Sequence, residues 1–257
     1  VVTPTSEDEV IRIAAACAQH RVPLTVRGGA TGNYGQAVPL HGGVLLDMTA
    51  MNRILGAKPG WLRVEPGAKM GAIDGALAET GWELRLHPST KRTATIGGFV
   101  AGGSGGVGSV TYGGLREPGN ILAAKVVTLE PEPRVLSLRG DAAQKVNRAY
   151  GTTGIITELE MPLAPRWAWQ DVIVAFDDFY TALTCAQALG RADGITKKLV
   201  SPIAWPLPQY FGPMAPHCPE GSAILCAMIA EPSMESFADI VTTHGGTVTW
   251  RQPTEEG

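Results

Sequence analysis

Apolar residues recur at helical spacing at Val10, Ile13, Ala14 and Cys17. Ser6 followed by Glu9 is a capping box, so residues 7–20 predict an amphipathic helix stopped by Pro23. Leu24-Thr25-Val26 and Val44-Leu45-Leu46-Asp47 are short apolar runs and predict buried strands, the second followed by a one-turn cap at 48–52. Alternation at 61–65 predicts a third strand. Met70, Ile73 and Leu77 predict a helix at 69–80 that ends at Gly81. Residues 121–129 and 134–138 predict a hairpin around Glu130-Pro131-Glu132-Pro133. Asp141 reads as the cap of a short helix to about Tyr150, and 155–163 as a long strand, with Pro162 and Pro165 closing the first unit. The pattern then changes. A strand at 169–176, a helix at 178–190, a strand at 195–200, a Pro-rich loop at 201–221, a strand at 224–229, a helix at 233–244 and a strand at 248–250 follow in order. That order predicts a split α+β layer of the ferredoxin-like kind. The expected domains are therefore 1–165 and 166–257, the second incomplete.

One stretch fits neither period. Residues 95–114 hold Gly97, Gly98, Gly102, Gly103, Gly105, Gly106, Gly108, Gly113 and Gly114. Glycine loses more backbone entropy on folding than any other residue, so such density disfavours helix and sheet. It predicts a loop whose bare N–H groups form a concavity for an anion. Ser89, Thr90, Thr95, Ser104 and Ser109 add hydroxyl donors. The interleaved Ile96, Phe99, Val100, Val107 and Val110 distinguish it from a flexible linker. A second glycine turn, Arg27-Gly28-Gly29-Ala30-Thr31-Gly32-Asn33, follows the first strand, where α/β proteins place phosphates. It is not G-x-G-x-x-G, and no long helix follows it, which disfavours a Rossmann fold.

Composition narrows the function classes. The 257 residues carry a net charge of −3, which offers no electrostatic footprint for nucleic acid. No apolar run reaches the roughly 20 residues of a membrane span. Cys17, Cys185, Cys218 and Cys226 form no C-x-x-C pair, so four reduced thiols in a cytoplasmic protein are expected. His217-Cys218 has no second pair, and no metal site is expected.

The chain resembles the FAD-binding domain of the vanillyl-alcohol oxidase / para-cresol methylhydroxylase superfamily, in its glycolate oxidase and D-lactate dehydrogenase branch. The carriers are Pro4-x-Ser6-x-x-Glu9-Val10, Arg27 to Gly32, Pro66-Gly67, Pro88-Ser89-Thr90, Ala94 to Gly98, Tyr112-Gly113 and Gly151-x-x-Gly154-Ile155-Ile156-Thr157, in family order. The resemblance implies an α+β class: a two-subdomain FAD-binding PCMH-type fold, followed by a partial ferredoxin-like cap. A small parallel sheet and a larger antiparallel one would enclose FAD. Arg27, Gly28, Gly29, Ala30, Thr31, Gly32 and Asn33, with Pro88, Ser89 and Thr90, would hold the pyrophosphate. Thr95, Gly97 and Gly98 would line the ribityl chain and diphosphate. Gly102, Ser104, Gly105 and Gly108 would approach the flavin ring. Gly154 and Ile156 would serve the adenosine half. Thr31 stands where tethered relatives carry His, so FAD is expected to be non-covalent. Glu130-Pro131-Glu132-Pro133 replaces the family's Ala-Asp-Gly, which puts adenosine contacts there in doubt.

The resemblance implies an FAD-dependent oxidoreductase that moves hydride from a small 2-hydroxy acid to flavin N5, with an unnamed electron acceptor. The family's C-terminal histidine motifs are not found, and no catalytic residue is assigned. The alternative is a non-catalytic FAD-binding subunit or fragment whose site is completed by a missing C-terminal part, a partner subunit or a second copy. A cell-wall sugar reductase on the same fold lacks its serine and glutamate motifs here. Arg116 reads as a substrate-carboxylate ligand or a surface arginine. His87 and Tyr112 read as flavin neighbours or packing groups, Lys91-Arg92 as an anion attractor or an exposed pair. Trp205, Tyr210 and Phe211 read as an entrance or as loop anchors.

Overall fold

The structure, a computed structural model, describes residues 1–254. The chain divides into two compact units. The first comprises Val1–Gly106 and Tyr112–Arg166, the second Val107–Thr111 and the chain from Trp167 onward.

In the first unit, helix α1 (Glu7–Gln19) buries Val10, Ala14 and Cys17. Ser6 caps it by accepting from Glu9 N at 3.3 Å. The return bond of the box lands one residue early, since the Glu9 carboxylate accepts from Thr5 N at 2.7 Å. Strands β1 (Leu24–Arg27) and β2 (Val44–Asp47) form a two-stranded parallel sheet. Next come β3 (Ile54–Lys58), β4 (Trp61–Val64), α2 (Met70–Leu77), β5 (Trp82–Leu84), α3 (Ile96–Gly102), then, after the short α4 (Ser109–Tyr112), most of which belongs to the second unit, β6 (Ala123–Val127), β7 (Val135–Arg139) and β8 (Ile155–Pro165). The larger sheet is antiparallel in the order β3-β4-β8-β6-β7, with β5 beside β8. Its core gathers Leu62, Val64, Ile73, Ile96, Val100, Ile121 and Leu159. Glu7 ties α1 to this sheet, taking Lys125 Nζ and Thr157 Oγ1, each at 2.7 Å.

Several local expectations change. The glycine stretch begins as a helix: in α3 the buried Ile96, Phe99 and Val100 supply an i, i+3, i+4 face. Its glycines allow a close approach. A Cβ on Gly97 would lie 2.5 Å from Pro66 Cβ and 2.8 Å from the Pro66 carbonyl oxygen. The sequence pattern missed β3, which is largely exposed and does not alternate, and the three-residue β5. Asp141 makes no cap; a 3-10 helix over Gly140–Val146 starts after Arg139 without a side-chain bond. Pro162 does not end its strand but pairs with Trp61 inside it.

The second unit contains β9 (Trp169–Phe176), α5 (Phe179–Arg191), β10 (Lys197–Ile203), β11 (Ala223–Ala230), α6 (Met234–Thr243) and β12 (Thr247–Pro253). The strands lie antiparallel in the order β10-β11-β9-β12, the ferredoxin-like connectivity the sequence order predicts. Asp178 caps α5 through Tyr180 N and Thr181 N. Val172, Val174, Leu189, Leu225 and Phe237 fill the core.

Two glycine-to-alanine changes separate crowding from propensity. Gly97→Ala meets Pro66 and is expected to lower unfolding free energy by about 1–3 kcal/mol. Gly75→Ala on α2 meets nothing within 4 Å and is expected to raise it by about 0.5–1 kcal/mol. Denaturant unfolding reads both; equal effects would contradict the close approach.

Candidate functional site

The first unit holds a cavity of about 630 Å³, bounded by the end of β1 and its glycine turn, residues 88–90, α3 with the turn after it, and residues 148–156. Its volume falls in the range of small-molecule sites. Arg27 to Asn33, Pro88, Ser89, Thr90, Thr95, Gly97, Gly98, Gly102, Ser104, Gly105, Gly154 and Ile156 all lie on this one wall. Gly108 does not. It belongs to the second unit, where its N–H donates to the Lys198 carbonyl at 2.7 Å.

The turns meet through bare backbone. A Cβ on Gly28 would stand 2.2 Å from Thr95 Oγ1, and one on Gly29 would stand 2.2 Å from the Thr93 carbonyl oxygen. Thr95 is 1% exposed and caps α3, its Oγ1 accepting from Gly98 N at 3.2 Å. The Ile96 and Gly97 N–H groups donate to the Ala68 and Pro66 carbonyls at 2.9 and 2.8 Å. The first three N–H groups of α3 are therefore committed to protein. Gly97 and Gly98 serve the cavity by lacking side chains, not by donating.

The available donors lie elsewhere. Among the described residues, the N–H groups of Gly28 to Asn33, and of Ser89, Thr90, Ser104 and Gly105, enter no described hydrogen bond. The exposed hydroxyls of Thr31, Ser89, Thr90 and Ser104 stand among them.

Charge on the wall has one sign. Among the described residues it includes Arg27 and Arg148 and no Asp or Glu. Arg27 Nη2 is fixed on Asp47 Oδ2 at 2.7 Å. Burial pushes the Asp47 carboxyl up, but bonds from Thr49 and Arg27 outweigh it and hold it below the usual range. Apolar Val26, Met48, Pro66, Ala94, Phe99, Ala101 and Ile156 complete the lining.

The sequence reading missed Gln36, Arg148, Tyr150 and Gly151. Gln36 Oε1 is buried on the wall without a hydrogen-bond partner. Ala30, Arg148 and Tyr150 have φ of 53°, 55° and 51°, in the left-handed region costly for residues with a Cβ. Among the described residues, three of the four non-glycine residues of this kind thus line one cavity, and such strain clusters at functional sites. The signal available in sequence was Gly151-Thr152-Thr153-Gly154, whose upstream neighbours were assigned to a helix.

Other candidates lie off the cavity. Tyr112 packs under Arg85, 5.4 Å from guanidinium carbon to ring centre, and burial raises its hydroxyl pKa. His87 is buried, its Nδ1 3.1 Å from the Pro88 carbonyl oxygen. Lys91 pairs with Asp74 at 2.7 Å. Arg116 and Arg92 are exposed. Trp205, Tyr210 and Phe211 belong to the second unit, where Tyr210 is exposed. The four cysteines are buried and free. Among the described residues, no three His, Cys, Asp or Glu side chains gather as metal ligands, and no helix is long and apolar enough to cross a membrane.

A family model described as FAD binding domain matches residues 1–137. The chain belongs to this FAD-binding family. The glycolate oxidase subunit GlcD of Escherichia coli K12 is 35% identical over 188 residues, 69% of this chain and 37% of that protein. The D-lactate dehydrogenase of Anaerostipes hadrus is 32% identical over 177 residues, covering 64% and 36%. The chain thus spans little more than a third of the curated relatives it matches. Among solved structures, an alkyldihydroxyacetonephosphate synthase aligns with TM-score 0.79 at 18% identity, covering 98% of this chain and 52% of that one. A chitooligosaccharide oxidase aligns at 0.71 and 16%, covering 98% and 52%. These likenesses show the fold. The α+β class and the superfamily resemblance both stand.

The wall fits the FAD of the family name. A dianionic diphosphate needs donors without carboxylates, which the Gly28 to Asn33 turn supplies. The ribityl and ribose hydroxyls are donors, which the unpartnered Gln36 Oε1 can accept. The apolar wall suits flat rings.

Gly102 lines the cavity, and a Cβ there meets nothing within 4 Å. Gly102→Leu is expected to leave the melting temperature within a few degrees while weakening FAD binding at least about tenfold. Calorimetric titration beside a thermal melt checks it; undiminished affinity would contradict the placement. Asp47 bears on acid stability. Its folded pKa lies below the roughly 3.9 of the unfolded chain, so its contribution is present above about pH 4 and is lost as pH falls through the folded value. Asp47→Asn is expected to flatten the acid limb of unfolding free energy between about pH 2 and 5.

Proposed function

We propose that this chain is the flavin-carrying part of an oxidoreductase acting on a small 2-hydroxy acid of the D-lactate or glycolate type. The observation that carries the reading is the carboxylate-free wall, with its turn of uncommitted N–H donors, inside a domain of the FAD-binding family. The named activities of the relatives support the substrate class. Bound FAD supplies a hydride acceptor. The residues of this chain hold and orient it. Arg27 to Asn33 and Pro88 to Thr90 surround the diphosphate, the neutral donors being the N–H groups and hydroxyls of Gly28 to Asn33, Ser89 and Thr90. Thr95, Gly97 and Gly98 let the cofactor approach the backbone of α3. Gly102, Ser104 and Gly105 border the ring, and Gly154 and Ile156 the adenosine half. The cofactor is held non-covalently in this reading, with Thr31 standing where tethered relatives carry His. The domains of this reading are 1–165 for FAD and 166–257 as the cap over substrate. Four buried free thiols support a reducing, cytoplasmic setting. The word subunit in the name of the Escherichia coli relative supports a partner chain.

A second reading rests on a different observation: the wall offers neither imidazole nor carboxylate to take the hydroxyl proton. Under it the chain binds FAD, and the base comes from another segment or chain. Anaerobic addition of D-lactate or glycolate to the FAD-loaded protein separates the two. Bleaching of the flavin band by either acid is the expected result. A yellow protein that neither acid reduces supports the second reading, and a protein that takes up no FAD defeats both.

A further inference from the structure

Arg148 is the cation on the cavity wall without a described partner. Arg27, the other one, is neutralised by Asp47 at 2.7 Å. Arg148 is exposed and lines the cavity, and its side chain enters no described ion pair or hydrogen bond.

Its backbone is locked. Arg148 N donates to the Val100 carbonyl at 3.2 Å and Tyr150 N to the Ala101 carbonyl at 3.0 Å. Gly103 N donates to the Phe99 and Val100 carbonyls. Backbone donors therefore already occupy these carbonyls at the end of α3, which an arginine there would otherwise cap. A Cβ on Gly103 would stand 2.3 Å from Arg148 Cβ, so the missing side chain at 103 makes room for the one at 148. Upstream, Asn147 Nδ2 donates to Gln144 Oε1 at 2.8 Å and Gln144 Nε2 to the Leu115 carbonyl at 3.0 Å. The residue is held at φ 55°, a conformation glycine would adopt at lower cost. The strain fixes the origin of a long cationic side chain beside a wall that contains no carboxylate.

We propose that Arg148 binds a phosphate oxygen of the dinucleotide and is a cofactor-affinity residue of this site. The inference rests on the FAD reading above. A guanidinium offers a phosphate two parallel N–H bonds and full charge, where the glycine turn offers neutral donors.

The test is titration of FAD into flavin-free wild-type protein, Arg148→Gln and Arg148→Lys, at low and high salt. Arg148→Gln is expected to weaken binding about 10- to 100-fold at low salt. It should also flatten the dependence of affinity on salt, since a screened charge pair is gone. Arg148→Lys should recover part of the affinity and most of the salt slope. Melting curves of the apoproteins show whether each variant folds, and Arg148→Lys reports the charge even if Arg148→Gln is impaired. Equal affinity and slope for wild type and Arg148→Gln would overturn the proposal while leaving the FAD reading intact. Equal weakening in both variants with an unchanged slope would also overturn it, as a packing effect. Absence of FAD binding by the wild type would defeat the underlying reading instead.

Discussion

The bare backbone of Gly28 and Gly29 lies against the Thr95 hydroxyl and the Thr93 carbonyl more closely than any Cβ allows. This contact seats the end of the parallel sheet against the start of α3. Residues 148–150 are set against the other end of α3, by bonds to the Val100 and Ala101 carbonyls. Thr95 serves both sides, filling the space beside Gly28 and capping α3 through Gly98 N. With the helix donors satisfied internally, the wall N–H groups that enter no described hydrogen bond lie, among the described residues, in loops, including the turn after β1 and the turns at 89–90 and 104–105. In the proposed reading, the anion is therefore met by loops rather than by the start of α3.

The same division explains which parts of the fold were legible. Val10, Ala14 and Cys17 have no reading other than one helix face. The apolar run of β11 is buried throughout and Leu45 and Leu46 are buried in β2, but β1, interrupted by Thr25, is only half-buried where a buried strand was expected. Glycine content misled at α3. Entropy disfavours glycine in a helix by about 1 kcal/mol each, but Ile96, Phe99 and Val100 bury a complete face, and Gly97 gains the contact with Pro66. Propensity was outweighed by packing. β3 failed for the opposite reason: its Ile54 and Leu55 are partly exposed, so no burial pattern was written into the sequence.

The site was legible where glycine is required by space, as at Gly28, Gly29 and Gly97. It was not legible at Arg148 and Tyr150, where residues with a Cβ hold a glycine-like conformation; Ala30, which shares that conformation, was found only through the glycines beside it. Nothing in the residue type announces that. Gly108 shows the converse limit, since its place in a glycine run associated it with the cavity while its N–H belongs to the Lys198 carbonyl. The second unit was readable as a topology, because strand and helix periods alternate cleanly there.

The central claim is that backbone N–H groups of the turn after β1 bind the cofactor diphosphate. The most direct measurement is the set of amide proton shifts of Gly28 to Asn33 in isotope-labelled protein, before and after FAD is added. The account predicts downfield movement of several of these amides, with Ile96, Gly97 and Gly98, already bonded within the protein, moving much less. Unperturbed shifts at Gly28 to Asn33 in a protein that has bound FAD would contradict it.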